Sequence, residues 1–191
     1  MVDWQPRIRV NIPAGVSGNW EVAHYTNQTT DNHWQLYLQM KQESFSNYTV
    51  LLRSDSDMPI MQDSRGEYRE HQWLWDNATG DVLIGGLGLG MVHEVLKNNS
   101  NVTSVTVIEN SQDVIDLVWP YCVKDETFTL IKADIETWTP PQGSSWDVAW
   151  FDTWDVKNSL TWDAYKNLMQ TRYSSYCTEI GFWGSIPVLN N

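Results

Sequence analysis

Asp81-Val82-Leu83-Ile84-Gly85-Gly86-Leu87-Gly88-Leu89-Gly90 decides how the chain is read. A short continuous apolar run enters a glycine cluster and is followed by a helix-like stretch over 91–98. Such a strand, turn and helix let backbone approach a ligand closely and aim unpaired helix N–H groups at its polar atoms. Glycines also serve plain strand-to-helix packing, so the cluster alone is a weak signal. The next apolar run, 105–108, leads to Glu109, 19 residues beyond Gly90. An acid there can accept both hydroxyls of a ribose. Gly85, Gly86, Gly88, Gly90 and Glu109 are therefore candidate contacts for a nucleoside cofactor.

Downstream the pattern repeats. Ser111 is a helix N-cap with Asp113 in the first turn, and a helix is expected to Trp119. Apolar runs at 128–131 and 146–151, a helix over 160–173 and a run at 180–183 complete the alternation. Short apolar strands alternating with helices predict an α/β fold with about five parallel strands covered on both faces. Upstream, residues 1–60 are polar and rich in Thr, Asn and Gln, with period-two alternation at 34–40 and 48–53 that predicts half-buried strands. A turn is expected at 54–57, an extended segment at 59–62 and one helix over 66–77. The expected organisation is a small β-hairpin region over 1–60, acting as a lid or dimerisation element, and a cofactor-binding domain over 61–191.

Composition narrows the partners. The 191 residues carry 24 acidic and 12 basic side chains, a formal charge of −12. Extended nucleic-acid binding rests on clustered Lys and Arg, so it is disfavoured, whereas a small cationic or neutral partner is favoured. The 12 tryptophans are scattered and read mainly as packing residues. No apolar stretch approaches the length of a membrane span, and the start does not read as a secretory signal, so a cytoplasmic protein is expected. Cys122 and Cys177 have no CxxC partner and read as buried thiols. His24, His33, His71 and His93 lack HxH or HExxH spacing, so no metal is expected. There is no GxSxG elbow or P-loop lysine, which removes hydrolase and NTPase chemistry.

Two further acidic positions follow the later strands: Asp134 after Leu130-Ile131-Lys132-Ala133, and Asp152-Thr153-Trp154-Asp155 after the run ending at Phe151. With the glycine loop, the helix His93-Glu94-Val95-Leu96-Lys97 and Glu109, they make residues 59–165 resemble the Rossmann-like core of class I S-adenosylmethionine (SAM)-dependent methyltransferases, in the spermidine synthase and putrescine N-methyltransferase branch. The layout is also similar to small methyltransferase-like proteins of tailed bacteriophages. The resemblance implies SAM as cofactor, Glu109 on its ribose and Asp134 on its adenine. Gln62 would meet the cofactor, and Tyr68, Asp152 and Asp155 would orient a nucleophilic amine. It also implies a possible homodimer through the N-terminal β region.

Departures from the family matter. Spermidine synthases carry an aspartate at the position of Gly88, which pairs with the cationic aminopropyl group of decarboxylated SAM. Its absence tilts the cofactor toward intact SAM, whose carboxylate that aspartate would repel. Trp154 replaces a small residue in the Asp-x-x-Asp motif and reshapes the acceptor side. The expected activity is methyl transfer to a small, amine-bearing acceptor. Aminopropyl transfer, as in spermidine synthases, and SAM binding without catalysis are the alternatives.

Overall fold

The computed structural model describes residues 9–26, 47–153 and 160–184. Two sheets are present. The first is an antiparallel meander, β1 (Gly15–Ser17), β2 (Trp20–Tyr25), β3 (Tyr48–Arg53) and β4 (Met61–Gln62), ordered β1-β2-β3-β4. The second contains β5 (Gly80–Gly85), β6 (Val102–Glu109), β7 (Phe128–Lys132), β8 (Trp146–Phe151) and β9 (Cys177–Phe182). Its order is β7-β6-β5-β8-β9 and every pairing is parallel.

Helices α1 (Arg65–Glu70) and α2 (Gln72–Asn77) precede β5, α3 (Met91–Lys97) joins β5 to β6, and α4 (Gln112–Val118) joins β6 to β7. A 3-10 turn, Trp119–Tyr121, ends the α4 segment, and α5 (Trp162–Tyr173) joins β8 to β9. The chain is thus a Rossmann-like α/β fold with a small N-terminal antiparallel sheet, as the sequence predicts. The run 34–40, expected as a strand, lies outside the described residues.

The alternation of side chains across the strands explains the two-sided core. Val82 and Ile84 of β5, Val105 and Val107 of β6, and Val148 and Trp150 of β8 enter one apolar cluster with α2, α3 and α4. Their neighbours Leu83, Ile108, Ala149 and Phe151 enter the other, with Tyr165, Met169 and Tyr173 of α5. Period-two geometry sends successive residues to opposite faces, so the inner stretches of β5 and β8 are apolar on both faces. The N-terminal sheet joins the first cluster through Val22, Leu51 and Met61. Its β1–β2 hairpin turns at Gly18, with φ of 52°, and Ser17 Oγ donates to Asp113 Oδ1 of α4 at 2.7 Å.

The single helix expected over 66–77 is two helices broken at His71, whose φ and ψ of −95° and 7° leave the helical basin. The break has a chemical reason. His71 turns fully inward, stacks 5.5 Å from Trp75, packs tilted at the same distance from Trp150, and hydrogen-bonds through Nδ1 to the Glu67 carbonyl at 2.8 Å. Trp73 of α2 then lies against Gly181 of β9, where a Cβ would come within 2.0 Å of the indole.

Asp63, just after β4, is buried and accepts from Thr49 N at 2.7 Å and from Arg9 Nη1 at 3.1 Å. Burial pushes its carboxyl up to about 6, against the pull of the Thr49 N–H and Arg9. An acid whose pKa is raised on folding contributes stability below its unfolded value and loses it as pH rises through the folded one. The stability of the protein is therefore expected to lose on the order of 3 kcal/mol from this group between about pH 4 and 6. Urea unfolding of the native chain and of Asp63→Asn across that window checks this: the variant should lack that loss.

Candidate functional site

The sheet reverses its strand order between β5 and β8: from β5 the chain proceeds to β6 and β7 on one side, then returns to β8 on the other. In open parallel sheets the carboxyl ends at such a reversal form the ligand crevice. Gly85 pairs with Ile108 and with Phe151 on its two neighbours, so Gly86, Glu109 and Asp152 all stand one residue beyond the same rung. Glycine loop, acid and acid are brought together by register.

The loop is tightly held. Gly86 N–H donates to the Ile108 carbonyl at 2.8 Å, Leu87 N–H to Glu109 Oε2 at 2.9 Å, and Leu89 N–H to Met61 Sδ at 3.1 Å. Asp152 N–H closes the other side onto the Gly85 carbonyl at 2.9 Å. Three glycines are needed for space as well as dihedral freedom. A Cβ on Gly86, with φ of 100°, would sit 2.7 Å from the Asp152 carbonyl oxygen. On Gly88 it would sit 2.5 Å from Met61 Sδ, and on Gly90 it would meet Cys122 Sγ. Most loop N–H groups are thus spent inside the fold, and what the loop offers a ligand is mainly close approach.

Glu109 is buried, and each of its oxygens already accepts one backbone N–H, from Leu87 and, at 2.8 Å, from Ser111. Burial raises its pKa and these N–H groups pull it back. A carboxylate has about four lone-pair sites, so the Glu109 oxygens keep capacity for a hydroxyl donor. Asp134 is exposed after β7, where its Oδ1 accepts from Glu136 N at 2.9 Å and its carbonyl caps the turn at Thr137 and Trp138.

Gln62 is fully buried and donates to Ser64 Oγ at 3.0 Å, and Tyr68 is buried and stacked 5.1 Å from Trp75. Of the expected acceptor-side residues, Asp152 is the partly exposed one, with 24% of its side chain accessible. Trp154 and Asp155 lie outside the described residues.

Sequence reasoning missed the partners of Asp152. Its Oδ2 stands 3.2 Å from His71 Nε2, and the Glu67 carboxylate lies within 4.8 Å of both. Glu67 is also buried and accepts from Trp183 Nε1 at 3.0 Å. Burial opposes an imidazolium at His71, but contact with Asp152, its charge and that of Glu67 outweigh this and raise the pKa. The available signal was the four-residue spacing of Glu67 and His71, which places both on one side of a helical turn. Beside the loop, Thr153 Oγ1 and Tyr165 OH share a 2.6 Å hydrogen bond that fixes the segment after β8 against α5.

No family model matches the chain, and no curated protein matches it. Solved structures overlap it in part. Spermidine synthase from Thermotoga maritima shares 18% identity at a TM-score of 0.44, over 76% of this chain and 49% of that one. Coclaurine N-methyltransferase bound to N-methylheliamine and SAH shares 17% at 0.42, over 59% and 33%. The plantazolicin methyltransferase BpumL in complex with SAH shares 18% at 0.38, over 57% and 39%. The chain spans about a third to a half of the length of these proteins. Overlaps of this extent leave the chemistry to be argued from this chain's own residues.

Proposed function

We propose that the protein is a SAM-dependent methyltransferase acting on a small, amine-bearing acceptor. The observation that carries this is the register at the strand reversal, which sets the glycine loop, Glu109 and Asp152 side by side on β5, β6 and β8. Glu109 would accept the ribose hydroxyls with its remaining lone pairs, Asp134 the adenine amino group, and the glycines would admit the methionine part at backbone distance. Bound SAM supplies an electrophilic methyl on a sulfonium. This chain's task is then to align the nucleophile and accept one proton.

Asp152 would orient the amine, whose lone pair is freed when its proton leaves. Gly88 leaves no carboxylate to pair with the aminopropyl group of decarboxylated SAM, which favours the intact form, and Met61 seats on this glycine. Its Sδ lies 2.5 Å from where a Cβ at position 88 would stand, and Gly88 has φ of 51°, so a side chain there would need Met61 to move and a strained backbone. The reading is tested by incubating the protein with SAM and a panel of small amines and polyamines. Acceptor-dependent formation of S-adenosylhomocysteine supports it; formation of methylthioadenosine from decarboxylated SAM instead would replace it with aminopropyl transfer.

A further inference from the structure

We propose that Glu67, His71 and Asp152 form a binding site for one divalent transition-metal ion, set behind the acceptor face of Asp152. His71 Nδ1 is 2.8 Å from the Glu67 carbonyl, and a carbonyl can only accept, so Nδ1 carries hydrogen and Nε2 is the nitrogen turned toward the carboxylates. Nε2 lies 3.2 Å from Asp152 Oδ2 without the alignment of a hydrogen bond. Two anionic groups and one imidazole nitrogen converge here, all within 4.8 Å of one another, with Glu67 and His71 buried.

Glu67 and Asp152 set two carboxylates beside one imidazole nitrogen, which favours a cation among them. A divalent ion on neutral His71 brings their net charge to zero. Donor atoms around one such ion at about 2.1 Å stand roughly 3–4 Å apart, a spacing that His71 Nε2 and Asp152 Oδ2 already have at 3.2 Å, with the Glu67 carboxylate within 4.8 Å of both. The surroundings also suit a metal centre. The second ring nitrogen of His71 is fixed by a carbonyl, and Glu67 Oε1 is fixed by Trp183 Nε1 at 3.0 Å. Such outer hydrogen bonds orient ligands and hold the imidazole tautomer.

Asp152, the accessible member, gives the ion its path from solvent. One imidazole with two carboxylates fits Mn2+, Fe2+, Co2+ or Zn2+ better than Mg2+, which prefers oxygen alone. With Oδ2 on the ion, the second oxygen of Asp152 remains for the acceptor. The inference does not depend on the methyl-transfer reading.

The test is titration of the metal-stripped full chain with Co2+, followed by visible absorption, and with Zn2+, followed by calorimetry. The expected result is one ion per chain, with affinity lowered on the order of tenfold or more in Asp152→Asn and in Glu67→Gln, each shown by circular dichroism to be folded. SAM binding by Asp152→Asn, measured in the same preparations, stays near that of the native chain, which separates this site from the cofactor site. Absence of bound ion, equal affinity in both variants, or a Co2+ spectrum with the thiolate charge-transfer band that Cys122 or Cys177 would produce would overturn the proposal.

Discussion

Asp152→Asn is expected to lower methyl-transfer turnover by about a hundredfold or more while changing SAM affinity less than twofold. The carboxylate is partly exposed beyond β8, while its backbone N–H is bonded to the Gly85 carbonyl at 2.9 Å. The substitution removes the charge and leaves that backbone contact intact. On the proposed reading, what is lost is the group that would face the amine and take its proton, so kcat should fall far more than SAM binding. His71 should respond as well. In the metal-stripped chain, with the Asp152 charge removed, burial is less opposed and the imidazole pKa should drop, which a histidine proton titration by NMR reads directly. An equal loss of SAM affinity would place Asp152 in the cofactor site instead.

Glu109→Ala is expected to cost on the order of 2–4 kcal/mol of unfolding free energy and to weaken SAM binding by tens of times or more. The truncation orphans the Leu87 and Ser111 N–H groups, of which the first belongs to a buried residue, and each orphan costs about 1–3 kcal/mol. It also removes the Leu87 tie of the glycine loop to β6, leaving Gly86 on the Ile108 carbonyl and Leu89 on Met61, so the cofactor would meet a less firmly held backbone. Glu109→Gln keeps one acceptor oxygen and should fall between native and Ala. Urea unfolding and SAM titration on the same three proteins check both arms. Native stability in Glu109→Ala would show that the loop is held by Met61 and the strand ladder alone.

The parallel sheet was legible because its strands are buried on both faces. Val82-Leu83-Ile84 and Val148-Ala149-Trp150-Phe151 have no polar face to confuse the assignment, and glycine clusters or turns punctuate them. Glu109 and Asp152 were legible for a related reason: a carboxylate immediately after an apolar strand falls on the sheet's carboxyl edge whatever the exact register. His71 was not. A lone histidine followed by Gln72-Trp73-Leu74-Trp75 continues a helical pattern, and only the tertiary pull of Trp150, Glu67 and Asp152 turns it inward and breaks the helix. The burial of Gln62 and Tyr68 was not legible either. Their positions in the chain suggested a ligand-facing role, and the sequence did not foretell that both are buried, Gln62 on Ser64 and Tyr68 on Trp75. Met61 was equally hidden, since nothing local marks a thioether that will seat on a glycine loop 28 residues away.

Calorimetric titration of the purified chain with SAM and, separately, with decarboxylated SAM tests the central claim most directly. Saturable binding of one SAM per chain, with the decarboxylated form weaker, is the result expected of a glycine loop with Gly88 under Met61 and Glu109 beside it. Failure to bind either compound would contradict the account and reduce the loop to a packing device between β5 and α3.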